Sequence, residues 1–474
     1  MKKILNNVMY QAIYQLLQVI LPIITVPIVS GALGPKGLGI YNFTTSIVNY
    51  FVLFAGLGLS NYGVREIARC RSNKKLMSQK FFELEGMSIL LSIIIFVVYV
   101  LFIFFAKYRE FYLIEIFLVI GAVLDISWFY IGIEEFGKVS LANMIIKIVA
   151  FVLIVLLVHD YSDTKLYVLI QSMSTFLSQG VLWLFLKNRI TYVHVSIKEM
   201  LTQIKPATHY FISKIAISLY TTLNKTLLGI LGTVTAVGYF SNAVTLCTML
   251  VTIMTSIDEA LLPRMSNLVG NGDEKKAIKI MEKAVHLSLW ITIPAMFGLI
   301  SISGKLVGWF YGGKFEILKI LLPMVAPLMV IMPLGISIAR QYLVPKGNIR
   351  GYNISVLAAG IVSIIINVVA IPRIGVYGAI IATLTSESLN TIIRVVELLK
   401  KTSFSFDFSL IVKYVLMSFI MSIVIYESTL KCPSSAITTL MQTLIGIVIY
   451  GGLSLLLKLP FKIIKNNHNY PSNK

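Results

Sequence analysis

Apolar runs of about twenty residues recur along almost the whole chain, separated by short polar stretches rich in Gly, Pro, Lys and Arg. At 1.5 Å per residue, each run is long enough for a helix to cross a bilayer's hydrocarbon core of roughly 30 Å. The pattern predicts fourteen spans, at about residues 8–33, 38–59, 82–105, 112–133, 139–158, 165–186, 207–231, 236–261, 284–303, 319–342, 353–371, 376–398, 411–428 and 436–458. No connection between them is long enough for an extramembrane domain. Gly31, Leu33, Gly34 and Tyr41 recur as Gly229, Leu231, Gly232 and Tyr239 at an offset of six spans. Transporters are commonly built from such repeats. The expected fold is therefore an all-α polytopic membrane protein with two six-helix lobes, residues 1–190 and 207–400. Residues 191–206 form a cytoplasmic linker, and 401–474 add two further transmembrane helices and a cytoplasmic tail.

Polar positions inside the spans are the exceptions to explain. In the seventh span Lys214, Ser218, Thr221 and Lys225 fall on one helical stripe. A charge at the centre of a membrane helix costs roughly 2.5–3.5 kcal/mol on insertion scales, so two lysines call for a reason. They fit a water-filled cavity for an anionic cargo; snorkelling of both to the headgroups is the competing reading, but it leaves the hydroxyls between them unexplained. The first span has a similar face in Gln11, Gln15 and Gln18, with Pro22 and Pro27 interrupting its backbone ladder. A seam between helices glued by amides is the alternative there. Acidic positions are Asp125, Asp258, Glu259 and Glu387. Glu387 and Arg394 share a face of the twelfth span, as a charge pair or a coupling site.

Composition narrows the class. Of 474 residues, 57% are hydrophobic and 13% charged, and the net charge is +20. A soluble domain of that make-up is excluded. Lys and Arg concentrate on alternate loops, about 26 against 9, which places both termini in the cytoplasm. The basic excess therefore faces anionic lipid, and nucleic acid is not an expected partner. The lysines after Met1 imitate a signal peptide, but the long run that follows reads as a retained first helix. Cys70, Cys247 and Cys432 suggest neither disulfides nor a metal site, the five histidines are not paired at ligand spacing, and no P-loop is present. No cofactor and no enzymatic activity are expected.

At the end of the fourth span the chain reads Asp125-Ile-Ser-Trp128-Phe129-Tyr130-Ile-Gly132-Ile-Glu134-Glu-Phe136. This resembles the D-x-S-W-F-Y-x-G-x-E-x-F signature of polysaccharide repeat-unit flippases, the Wzx-type branch of the MOP exporter superfamily. Tyr62-Gly63-Val-Arg65-Glu66-Ile67 and Pro372-Arg-Ile-Gly375-Val-Tyr377-Gly378-Ala379 agree with it, and the similarity runs to about the twelfth span. Many relatives have an Asp in the seventh span where this chain has Asn224 beside Lys225. The resemblance implies a MATE-like fold, alternating access, and an undecaprenyl-diphosphate-linked glycan as cargo. Lys214 and Lys225 would attract the diphosphate; Gln11, Gln15, Gln18, Ser218 and Thr221 would contact sugar. Trp128 and Tyr130 would be interfacial aromatic anchors or substrate contacts, and Arg65 and Glu66 a structural pair or gate. The pathway's polymerase and glycosyltransferases would be partners.

Three rivals share some of these features. A MATE-like drug or cation antiporter would be expected to line its cavity with carboxylates and aromatics rather than lysines. A membrane-embedded polymerase or glycosyltransferase would need a sizeable extramembrane loop. A peptidoglycan lipid-precursor flippase is the nearest cousin, and the Trp-Phe-Tyr-Gly-Glu segment favours the polysaccharide branch over it.

Overall fold

The computed structural model describes the backbone of residues 2–187 and 189–459. The side chains of residues 2–12, 15, 16, 19, 136, 138, 209, 210, 212–214, 216, 217 and 219–221 lie outside the described set. All described regular structure is helical, and it divides into two compact units, residues 1–229 and 230–474.

The first unit starts with α1 (Lys2–Ala55), which is two spans meeting at Gly34. Gly34 has φ 64° and ψ −176°, and Pro35 follows. Glycine takes the positive φ without a Cβ penalty, and proline, with no N–H to lose, opens the next helix. The turn expected over several residues is thus a single residue. Next come α2 (Leu59–Cys70) and α3 (Lys74–Phe105), then a fourth span in three pieces: α4 (Arg109–Ile114), α5 (Ile116–Val123) and α6 (Ser127–Gly132). They are followed by α7 (Phe136–Leu157), α8 (Thr164–Leu184), the short α9 (Ile197–Thr202) and α10 (Ile204–Leu231). The fourth span breaks at Asp125, whose side chain accepts the Ser127 N–H at 2.9 Å and so supplants the helical ladder.

Two of the motifs meet in a joint between α2 and α6. A Cβ on Gly63 would lie 2.6 Å from Trp128 Cε3, and one on Gly132 would lie 2.8 Å from Ile67 Cβ. Each glycine therefore lets a large side chain of the other helix reach backbone. Trp128 also stacks on Phe81 of α3 at 5.6 Å, and Tyr130 donates its hydroxyl to the Leu182 carbonyl of α8 at 2.8 Å. Trp128, Phe129 and Tyr130 are all buried in one apolar cluster. This corrects the expectation of interfacial anchors: the rings serve the core, where their area is worth most. Glu134 ends the motif at φ 59°, with the Glu135 N–H returning to the Tyr130 carbonyl at 2.8 Å, a left-handed helix stop.

The pattern along the sequence assigned α10 to the second lobe; by contacts it groups with the first unit. Lys225 Nζ donates to Asn42 Oδ1 at 3.2 Å, and the Ser46 and Thr226 hydroxyls pair at 2.8 Å. The segment before α10 is fastened as well. Gln203 is buried, accepts from Tyr62 at 2.8 Å and Lys80 at 3.3 Å, and donates to Glu83 at 3.1 Å. Gly58 (φ 75°) closes the contact, since a Cβ there would lie 2.9 Å from the Ala207 carbonyl.

The second unit runs through α11 (Val234–Gly270), α12 (Glu274–Phe310), α13 (Leu318–Val325) and α14 (Leu328–Ile338) to α15 (Ile349–Ile374), α16 (Val376–Lys401), α17 (Phe408–Thr429) and α18 (Ala436–Leu456). α14 continues as a π-helical turn, Ala339–Leu343. The Pro372–Ala379 motif makes a tight hairpin between α15 and α16: Gly375 takes φ 55°, and Gly378 sits so close that a Cβ would lie 2.7 Å from the Ala370 carbonyl carbon. α17 and α18 pack on α12, with Trp290 Nε1 donating to Ser454 at 2.9 Å and Tyr450 to the Trp290 carbonyl at 2.8 Å. Among the described residues the helices make about fourteen crossings, once α1 is counted twice, α4–α6 and α13–α14 once each, and the short α2 and α9 are left out.

Gly63→Ala should lower the thermal unfolding midpoint of the purified protein. Overpacking against Trp128 costs about 1–3 kcal/mol, which exceeds the roughly 0.5–1 kcal/mol that a helical glycine-to-alanine change gains. An unchanged or raised midpoint would mean that the indole yields and the joint is loose.

Candidate functional site

The first unit contains a partly open pocket of about 250 Å³ with polar side chains along its wall. Two stripes contribute to its lining. Tyr41, Thr45 and Asn49 come from the second half of α1, and Gln171, Thr175 and Gln179 from α8. Each set has four-residue spacing, which stacks side chains on one helix face. Asp125, at the break in the fourth span, adds a carboxylate, with Ser60, Ser88 and Ser172 nearby on the wall. Gln171 Nε2 donates to the Tyr167 hydroxyl at 3.0 Å, and Tyr167 meets Tyr41 edge to face at 5.0 Å.

Two more carboxylates adjoin this lining. Thr45 donates its hydroxyl to the Glu115 carboxylate, which is fully buried. Glu85 is 3% exposed and neither of its oxygens has a hydrogen-bond partner; Asp125 is its electrostatic neighbour. The indole N–H of Trp128 and the hydroxyl of Ser172, both on cavity-lining residues, are also unpartnered. Three or more His, Cys, Asp or Glu side chains fit to hold a metal ion are not found together among the described residues.

The residues singled out from the sequence fall in several places. Asp125 and Trp128 line the cavity. Lys225 is half-buried against Asn42, one residue from Tyr41, and Ser218 and Gln18 are part-exposed. The side chains of Lys214, Thr221, Gln11 and Gln15 lie outside the described residues. Arg65 is exposed on α2, and Glu66 pairs with Arg69 at 3.4 Å. Exposed Glu134 pairs with Arg71. In the second unit, Glu387 and Arg394 are both buried on α16. The Arg394 guanidinium donates to the Gly335 carbonyl at 2.9 Å and to Ser355 at 3.0 Å, and lies over the Tyr352 ring. Asp258 accepts from Ser337 at 2.9 Å and Gln341 at 2.5 Å, and Glu259 pairs with Arg340 at 2.9 Å.

The sequence reading missed Glu85, Glu115 and both cavity stripes. The signal was present: Tyr41, Thr45, Asn49 and Gln171, Thr175, Gln179 have the same spacing logic that exposed the stripe in α10. Without a basic residue among them, they looked like ordinary polar positions.

The fold resembles solved transporters. The chain superposes on "Lipid II flippase MurJ, inward closed conformation" with a TM-score of 0.79 at 17% identity, covering 97% of this chain and 100% of that one. An inward-facing multidrug resistance MATE family transporter of the MOP superfamily gives 0.61 at 17% identity, over 83% and 99%. These likenesses show a MATE-like polytopic membrane fold. Among curated proteins, the chain is 26% identical over 395 residues to an Escherichia coli (strain K12) protein described as "Putative O-antigen transporter", covering 81% of this chain and 94% of that protein. It is 26% identical over 251 residues to the "Probable low-salt glycan biosynthesis flippase Agl15" of Haloferax volcanii, about half of each chain. The model of the polysaccharide biosynthesis protein family matches residues 4–269, and the chain belongs to that family.

Thr45→Val should destabilise the protein by about 1–3 kcal/mol, because it strips a buried carboxylate of its donor. In a Glu115→Leu background the same change should cost little, giving a coupling of about 0.5–3 kcal/mol in a double-mutant cycle by reversible denaturation. Additive effects would show that the two side chains do not act together.

Proposed function

We propose that the chain moves an undecaprenyl-diphosphate-linked oligosaccharide repeat unit from the inner to the outer leaflet of a bacterial plasma membrane, by alternating access, for cell-surface polysaccharide synthesis. Both termini are cytoplasmic in this reading, as the loop charges require. The cavity of the first unit carries the argument: its amides and hydroxyls, set inside a membrane helix bundle, match a sugar's alternating donors and acceptors. A cavity for apolar drugs would have little use for them. Family membership agrees, as do the names of the relatives, which refer to an O-antigen transporter and a glycan flippase.

Lys225 supplies a cation for the diphosphate, as a point charge on a flexible stem. Lys214 is assigned the same role, and Gln11, Gln15, Gln18, Ser218 and Thr221 contact sugar alongside the cavity stripes. The lipid tail stays in the bilayer. The pathway's polymerase and glycosyltransferases supply and consume the cargo; no nucleic acid takes part.

In liposomes containing a fluorescent undecaprenyl-diphosphate oligosaccharide, the purified protein should carry label to the far leaflet, where a membrane-impermeant quencher reaches it. Lys225→Ala should slow this by roughly 10–100-fold, the loss of one charged hydrogen bond of about 1.5–3 kcal/mol. Full-rate transfer by both Lys225→Ala and Lys214→Ala would sink the cationic role. Absence of transfer by the wild type would sink the flippase reading.

A further inference from the structure

The cavity of the first unit contains acid and amide but no base. Asp125 is the charged side chain among its described lining residues, and Lys, Arg and His are missing from them. Glu85 is the electrostatic neighbour of Asp125, and Glu115 is reached through Thr45. An acidic cluster alone would say little about a ligand. The second observation is the lining itself: Tyr41, Asn49, Gln171, Thr175 and Gln179 set hydroxyls and amides along one pocket. Hydroxyls and amides so placed can each donate to or accept from a polar occupant.

Size and charge narrow the occupant. At about 250 Å³ the space is smaller than the roughly 300–1,000 Å³ of drug-sized sites. It suits a single sugar ring better than a whole repeat unit. Each sugar hydroxyl both donates and accepts, as Tyr41, Asn49, Gln171, Thr175 and Gln179 also do. An added carboxylate on that sugar would face Asp125 at short range, with no cation in the lining to offset it, and like-charge juxtaposition is the usual means of rejecting a wrong partner. An ammonium group would be drawn to the same oxygens.

Resting on the glycan-transport reading, we propose that this cavity receives one sugar residue, neutral or ammonium-bearing, and turns away uronates and other anionic sugars. The cation for the diphosphate, Lys225, is outside the cavity lining, so one molecule keeps a basic contact for the carrier and an acidic one for the glycan.

The test uses the full chain in lipid nanodiscs, titrated separately with N-acetylglucosamine, glucosamine and glucuronate and followed by calorimetry. Glucosamine and N-acetylglucosamine should bind saturably, and glucuronate at least about tenfold more weakly. Asp125→Asn keeps an oxygen for the Ser127 N–H; it should erase the advantage of glucosamine over N-acetylglucosamine and admit glucuronate. Thr175→Lys, on the cavity wall, should invert the order in favour of glucuronate. Equal binding of glucuronate by the wild type, an order unmoved by either substitution, or no binding of any of the three sugars would overturn the proposal. Leaflet transfer of neutral and uronate-containing carriers, measured on the same preparation, separates the two claims. Transfer of both at equal rate ends the charge filter and leaves the flippase; transfer of neither ends the flippase.

Discussion

Hydrocarbon offers a peptide group no hydrogen-bond partner, and that constraint governs where this chain can stop being helical. Each interruption inside a span has a local substitute for the lost ladder. Gly34 gives way to Pro35, which has no N–H to satisfy. Asp125 lends its side chain to the Ser127 N–H. The π-helical turn at Ala339–Leu343 keeps its backbone bonded while it brings Arg340 and Gln341 to Glu259 and Asp258. The places where polar chemistry gathers are therefore the places where the backbone was already obliged to find help. The cavity opens beside one of them.

Glycine and aromatic residues then set how closely the helices lie. Gly63 and Trp128, Gly132 and Ile67, Gly378 and the Ala370–Ile371 backbone are all pairs in which a missing Cβ is filled by a neighbour. In a membrane there is no hydrophobic force between helices, so close packing of this kind has to supply the cohesion. It explains why the residues that identify the family are so often structural. The Trp-Phe-Tyr segment marks the chain because it is the keystone of a joint, and only Trp128 also reaches the cavity.

Span number and span order were legible in the sequence, because twenty-residue apolar runs punctuated by Gly-Pro and charge admit few other foldings; the breaks within the fourth and tenth spans were not. The grouping of α10 with the first unit was not. It depends on Lys225 meeting Asn42 and Ser46 meeting Thr226, contacts between residues about 180 positions apart that no local period encodes. The cavity was half legible. Asp125 stood out as a charge in an apolar run, whereas Tyr41, Asn49, Gln171 and Gln179 are types that also serve as seams between helices. Glu85 and Glu115 sit near span ends in the sequence, where a carboxylate is expected to reach water; only the packing reveals that they do not.

The first unit's reach to residue 229 has a consequence for the order of events during synthesis. At about 5–20 residues per second, a ribosome takes roughly 11–45 seconds to go from the end of α10 to the end of α18. When that interval begins, both motif helices of the α2–α6 joint, the Gln203 clasp and the walls of the polar cavity are already in hand. The seventh span is thus, by its contacts, the last piece of the half before it.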